Sequence, residues 1–284
     1  MNSEIVFLQA LSGMGQYCVK IITEGPMNTA VSLLLLIVCS TFKNTSEYVI
    51  ANFLLENLNH ICDITRTDVC EKTGVSNRTL NVFCSTLGYK NYSDLKLAII
   101  KTVDIRKLQM KVHINNMNSN SLIEAINALS NIPFDSEKFI KTVDSINNYI
   151  HDSKKVIVVG AVYPEMLCLH YMEDMLMMGK YIFSSPVNTS IGTCENDNLV
   201  LMISFTGRVY IEHYEEITKL KENNVSIIGI GNPFTVPEQI HLNKFLELPF
   251  KGDTETENAS IPLVLQYMKL RYFEKFGDER NVYL

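Results

Sequence analysis

Two stretches of the chain carry residue types whose spacing could do chemistry. In residues 77–86, Asn77, Arg78, Asn81, Val82 and Ser85 recur on one side of a helical wheel. Leu80, Phe83, Cys84 and Leu87 fall on the other. A short helix with an apolar back and a front of amides, hydroxyls and a guanidinium suits the DNA major groove, where such groups meet base edges. The same local pattern also describes an ordinary pair of packed helices. The second stretch is Ile203-Ser204-Phe205-Thr206-Gly207-Arg208, in which two hydroxyls, a glycine and an arginine lie between an apolar run and a helix start. Amides at a helix start, its dipole and hydroxyl donors all favour an anion such as phosphate. A plain strand-to-helix turn produces the same letters. The six histidines show no metal-ligand spacing such as H-E-x-x-H, and no cofactor motif or catalytic set is read. His213 follows the second stretch where a general base could sit, but a solvated or helix-packed histidine is the leading reading.

Elements that position these residues can be read around them. Thr65 and Asp68 have the spacing of a capping box, Gly74 supplies a left-handed turn, Ser76 caps the next helix and Gly88 follows its end. Residues 65–89 are therefore expected to be two short helices joined by a glycine turn. Before them, residues 1–23 look helical, Gly25-Pro26 breaks the chain, and residues 31–39 form an apolar helix. A further helix begins at Asn44-Thr45-Ser46-Glu47. A last helix over about 93–110 closes an all-α unit. The asparagine-rich residues 112–121 have no apolar period and read as a linker. Helices at about 122–131 and 136–151 follow.

From Lys154 the texture changes. Residues 156–159 are a short, continuously apolar run suited to a buried parallel strand, and 181–183, 199–203, 226–230 and 244–248 supply further strands. Helical stretches at 164–178, 209–223 and 258–276 alternate with them. Alternation of this kind predicts a doubly wound, mainly parallel sheet covered by helices, with ligands at the carboxyl ends of its strands. The expected division is 1–111, a helical DNA-binding domain; 112–121, a linker; and 122–284, an α/β domain.

Composition limits the alternatives. The 284 residues suit two domains, and 46% hydrophobic with 20% charged residues excludes a disordered chain. A formal net charge of -6 excludes a uniformly basic nucleic-acid binder, so basic groups have to be concentrated locally. They are, weakly: up to residue 111 the lysines and arginines slightly outnumber the acids, and the rest is acidic. The seven cysteines include no C-x-x-C pair and read as small buried thiols in a reducing cytoplasm. The apolar run 31–39 is far shorter than the ~20 residues of a membrane span and lies too deep in the chain for a signal peptide. Met172, Met175, Met177 and Met178 read as core or dimer filling. Glu215-Glu216 and residues 219–222 read as a solvated helix face.

A family resemblance sharpens both candidate sites. Gly74-Val75-Ser76, Thr79, Phe83-Cys84, Leu87-Gly88-Tyr89 and Tyr92-Ser93-Asp94-Leu95-Lys96 resemble the helix-turn-helix of the RpiR-type bacterial transcriptional regulators. The chain departs from that pattern at Val82, where the family usually has arginine, at Ser85-Thr86, usually two basic residues, and at Arg78, usually small. The resemblance implies that Thr67, Ser76, Asn77, Arg78, Thr79, Asn81, Ser85, Tyr89 and Lys90 contact double-stranded DNA. Residues 197–209, DNLVLMISFTGRV, similarly resemble the phosphate loop of the sugar isomerase (SIS) domain, which the same family carries C-terminally. By position Ser204, Thr206 and Gly207 would hold the phosphate with help from Arg208. Gly160 would belong to the first loop, and Glu257 falls near the acid that SIS isomerases place at the start of their last helix. Val209 replaces a usual threonine. The first loop pattern G-x-G-x-S appears as Gly160-Ala161-Val162-Tyr163-Pro164, and Gly231-Asn232-Pro233-Phe234-Thr235 also lacks the usual hydroxyls.

The resemblance implies a cytoplasmic transcription regulator, a homodimer or dimer of dimers, responsive to a sugar phosphate. With two of the three loops altered, either the effector differs from a standard phosphosugar or the SIS domain mainly dimerises. Two rival functions stay open: a phosphosugar isomerase with an added helical domain, and an interaction protein whose recognition helix no longer reads bases.

Overall fold

The computed structural model describes residues 29–41, 43–116, 118–184, 191, 194–252 and 254–277. The expected helix at 1–23 and the break at Gly25-Pro26 lie outside the described residues.

Among the described residues seven α-helices come first. The apolar run forms α1 (Ala30–Ser40), with Val31, Leu34, Leu35 and Val38 buried at helical spacing. α2 (Ser46–Glu56) starts where Thr45 accepts a hydrogen bond from the Tyr48 amide. α3 (Arg66–Thr73) opens on the expected capping box: the Thr65 side chain accepts from the Asp68 amide while the Asp68 carboxylate accepts from Thr65 N at 2.7 Å. These hydrogen bonds hold the Asp68 carboxyl below its usual range. Gly74, with φ 71°, turns the chain, and Ser76 caps α4 (Asn77–Thr86) by accepting from Thr79 N at 3.1 Å. Gly88 follows with φ 85°.

α5 (Tyr92–Asn116) is 25 residues long, a rod of about 37 Å at ~1.5 Å per residue. It continues past the expected end, so most of the stretch read as a linker is helical: α5 occupies it up to Asn116 and α6 (Ser119–Leu129) begins three residues on. The asparagines read as loop-formers include a cap, because Asn118 accepts from Ser121 N at 2.9 Å and starts α6. α7 (Ser136–Asp152) follows.

The sheet is built as the apolar runs predict. β1 (Lys155–Gly160), β2 (Ile182–Ser184), β3 (Asn198–Ser204), β4 (Ser226–Gly231) and β5 (Lys244–Glu247) lie in the order β2-β1-β3-β4-β5, every neighbouring pair parallel. Gly160 at the end of β1 stands opposite Ile203, one residue before the end of β3. The chain passes from β1 outward to β2 and then returns to β3 on the other side, so the β1/β3 boundary is the topological switch point.

Two expected single helices are each divided. α8 (Val162–Met166) and α9 (Leu169–Met177) part at Leu167-Cys168, and α10 (Arg208–Glu212) and α11 (Tyr214–Glu222) part at His213. α12 (Thr254–Phe276) covers the sheet beside α7, to which it is fixed by a bidentate pair: Arg271 Nε and Nη2 donate to the Asp144 carboxylate at 3.0 and 2.7 Å.

The helical region is braced directly on the α/β region. Lys155 Nζ and Glu56 Oε1 pair at 2.7 Å, Ser32 Oγ donates to Glu173 at 2.7 Å, and Tyr181 hydrogen-bonds Asn52. The four methionines at 172, 175, 177 and 178 are buried core residues. Of the described cysteines Cys84, Cys168 and Cys194 are buried and Cys39 and Cys70 half-buried, in keeping with small packed thiols, while Cys62 is exposed and departs from that reading. Among the described residues no helix is long and apolar enough to cross a membrane.

Candidate nucleic-acid interface and anion loop

The position of α4 follows from its two faces. Leu80, Phe83 and Cys84 are buried against α2, α3 and α5, while Asn77, Arg78, Asn81, Val82, Ser85 and Thr86 are exposed. Burial of this back face pushes the Cys84 thiol up to about 11, so it stays a neutral, inert packing group. The front is open and polar, with Val82 57% exposed at its centre. That apolar patch suits a thymine methyl rather than a phosphate.

The hydroxyls of this face are tied locally. Ser85 Oγ donates to Asn81 O at 2.9 Å and Thr86 Oγ1 to Val82 O at 3.0 Å, while Ser76 and Thr79 share a hydrogen bond at 2.9 Å. Their oxygens still have acceptor capacity. Ser76 and the half-buried Thr79 therefore act first as the helix cap. Thr67 and Lys90 are exposed, beside the helix and just after it, whereas Tyr89 is half-buried, and burial pushes its phenol up. The structure thus brings the residues expected at the DNA surface together around α4, with Thr79 and Tyr89 half-buried and the others exposed.

Sequence reasoning missed Arg66. Its Nη2 donates to Asn81 Oδ1 at 3.2 Å and reaches Asn77 O at 3.4 Å, bridging α3 to the exposed face of α4. This bond fixes the Asn81 side chain on the exposed face of α4. The only prior signal was a basic residue in the first turn of the first helix, where a positive charge opposes the helix dipole. Lys96 plays no such outward part: its Nζ donates to Cys62 O and Ile64 O at 2.7 and 2.9 Å, tying the turn before α3 to α5.

At the sheet's carboxyl edge the β3 loop has the expected sequence but a tight geometry. Ser204 is buried and its Oγ accepts from Gly207 N at 3.0 Å, so the hydroxyl holds the turn. Gly207 has φ 76°, and a side chain there would place Cβ 2.2 Å from Thr235 O. Thr206 and Arg208 are exposed. α10 is only five residues long, so its dipole is weak. Glu257 lies in α12, lining a cleft of about 250 Å³ with Gly231, Asn232 and Lys251. Gly231 contacts Ser204 closely, since a Cβ there would sit 1.9 Å from Ser204 O.

The first loop contains a residue the sequence did not single out. Glu165, in α8, is 7% exposed, and its carboxyl hydrogen-bonds to the Gly160 backbone and the Ser184 hydroxyl. Burial pushes it up to about 7, against the lowering effect of those hydrogen bonds. Donors at the end of β1 that an anion would use are thus engaged by the protein's own carboxyl. His213 Nδ1 lies within hydrogen-bond distance of Glu216 Oε2, at 2.6 Å, which matches the helix-packed reading of that histidine. No group of three or more potential metal ligands occurs among the described residues.

These features can be set beside known proteins. The helix-turn-helix domain of the rpiR family matches residues 38–104. The chain is 23% identical over 235 residues to an uncharacterised HTH-type transcriptional regulator in the aarA 3' region of Providencia stuartii, covering 78% of this chain and 81% of that protein. Among solved structures, the Vibrio vulnificus NanR protein complexed with ManNAc-6P is similar over 89% of this chain and 94% of that one, at 16% identity and a TM-score of 0.44. The sugar isomerase domain of an RpiR transcription factor from Sphaerobacter thermophilus is similar over 61% of this chain and 94% of that one, at 12% identity and a TM-score of 0.44. The chain is a homologue of an HTH-type transcriptional regulator and carries, over residues 38–104, a helix-turn-helix domain of the rpiR family.

Proposed function

We propose that this protein is a cytoplasmic, sequence-specific DNA-binding transcriptional regulator, acting as a homodimer and without catalytic activity. The observation that carries this reading is the exposed front of α4, which offers Asn77, Arg78 and Asn81 on one face of a capped helix whose back is buried. In this reading Arg78 reads a guanine, Asn81, oriented by Arg66, reads an adenine, and Thr67, Ser76, Thr79, Ser85, Tyr89 and Lys90 meet backbone or flanking bases. A homodimer places two such helices on half-sites about one helical turn, or multiples of it, apart. In the proposed division, residues 1–111 are the DNA-binding unit and residues from 122 onward form the sugar-isomerase-type domain, joined through α5. The test is a binding titration against the DNA upstream of the protein's own gene, over a range of salt. Tight binding to one segment, weakened by Arg78→Ala, supports the reading, and weak binding indifferent to sequence contradicts it.

A second element of the reading concerns control. The exposed Thr206 and Arg208 and the resemblance of residues 197–209 to a phosphate loop favour a sugar-phosphate effector at the β3 edge, with Gly207, Ser204, Gly160 and Glu257 shaping its surroundings. An effector that binds one arrangement of the two regions better than another shifts DNA affinity by that difference. Engagement of the first loop by Glu165 favours weak or altered effector binding and argues against an isomerase, which needs an intact cradle and a positioned acid–base pair. Turnover of hexose or pentose phosphates by the purified protein would overturn this part.

A further inference from the structure

Where α5 meets α9 and α12, a cavity of about 290 Å³ is lined by Arg106, Gln109, His113, His170, Gln266 and Lys269 together with apolar side chains. It shares no residue with the exposed face of α4 or the β3 loop. Its lining carries two cations and no carboxylate. Asp174, fully buried, accepts from Arg106 Nε at 2.7 Å and from Lys269 Nζ at 2.5 Å, and Lys269 is itself only 4% exposed. The preceding residue, Glu173, is engaged by Ser32 Oγ at 2.7 Å.

Neither histidine adds a further positive charge. His170 Nε2 lies 2.6 Å from Arg106 Nη2, and because a guanidinium only donates, that nitrogen must accept. The ring is then neutral, with its proton on Nδ1, 3.4 Å from Asp174. His113 Nε2 pairs with the Gln266 amide NH2 and is neutral for the same reason. Burial first, and Lys269 among the neighbouring charges, push both histidines below their usual range. Arg106 and Lys269 therefore face a half-apolar cavity whose own lining holds no carboxylate. Their nearby acids are Asp174, which binds both, and Glu173, which is turned to Ser32 but still attracts Arg106. A buried charge is most stable when fully paired.

We propose that this cavity is a binding site for a small organic oxyanion, whose charge is met by Lys269 and Arg106 and whose carbon portion lies on the apolar wall. Gln266 and the two histidines contribute further hydrogen bonds. Both halves of the molecule build the site, since α5 carries Arg106, Gln109 and His113 while α9 carries His170 and α12 carries Gln266 and Lys269.

The test uses the full chain with inorganic phosphate and, separately, butyrate as probes, followed by calorimetric titration and by the shift in thermal midpoint. Saturable binding of at least one probe is expected, and which one binds identifies the ester or the carboxylate form of the ligand. Lys269→Met leaves a balanced Arg106–Asp174 pair and should weaken the probe by at least about tenfold, the usual worth of a charge-assisted hydrogen bond. Asp174→Asn raises the surplus positive charge and should tighten it, with the probe restoring thermal stability to the variant. If either charge variant does not fold, Gln266→Leu, which removes a donor and no charge, should weaken binding severalfold. Failure of both probes to bind, or binding that none of these substitutions alters, overturns the proposal.

Discussion

Replacing Glu165 by glutamine gives a prediction whose sign and size follow from the structure. Burial raises this carboxyl from an ordinary 4.5 to about 7. The folded protein therefore keeps a proton between those values that the unfolded chain releases. Stability contributed by this group is complete below about 4.5, declines as pH rises through the window, and is lost above about 7. At about 1.4 kcal/mol per decade the difference amounts to roughly 3 kcal/mol. Glutamine has the same shape, can accept from Gly160 and Ser184 through its oxygen, and does not titrate. Chemical denaturation of wild type and Glu165→Gln between pH 4.5 and 8 should give curves that converge at the acid end. At the alkaline end the variant should be more stable by about 2–3 kcal/mol. Parallel curves, or a variant less stable at pH 8 than wild type, would refute the assignment of a buried, late-titrating carboxyl at the end of β1.

Other substitutions test other parts of the account. Ser76→Ala removes the cap on α4 and should lower stability by about 1 kcal/mol, read in urea unfolding, without changing the fold. Gly207→Ala forces a side chain against Thr235 O in a left-handed backbone and should cost roughly 1–3 kcal/mol, measured as a fall in thermal midpoint. Arg66→Ala should weaken DNA binding by less than Arg78→Ala, since Arg66 is occupied with Asn81, and a double-substitution cycle with Asn81→Ala should give a non-zero coupling. Arg208→Ala should leave DNA affinity in the absence of effector unchanged while reducing any sugar-phosphate response.

What could be read from the chain alone was whatever local chemistry determines. The capping box at Thr65 and Asp68, the turn at Gly74, the Ser76 cap and the alternating faces of α4 each follow from a few neighbouring residues. β1, β3 and β4 were equally legible, because their apolar runs suit strands buried on both sides, whereas β5 is a short edge strand with Lys244 and Glu247 exposed. Residues 112–121 were misread because asparagine is read as a loop-former, yet here Asn118 caps α6 and α5 runs on to Asn116. The divisions at Leu167-Cys168 and His213 left no proline or glycine signal. Arg66 and Glu165 needed the third dimension. The partner of Arg66 lies fifteen residues away on another helix, and Glu165 is explained by Gly160 and Ser184, which only the sheet order brings near it. Arg106, Asp174 and Lys269 belong to three helices, so their shared charge cluster could not be read from spacing at all.

The central claim is that the exposed face of α4 reads bases, and operator binding by an Arg78→Ala and Asn81→Ala series at fixed salt tests it most directly. Fluorescence anisotropy with the DNA upstream of the gene, and with the same segment scrambled, should show a loss of about 1–3 kcal/mol per substitution on the specific segment only. The salt slope should be nearly unchanged for Asn81→Ala, because that contact involves no phosphate. Equal losses on both DNAs, or no loss on either, would contradict the claim.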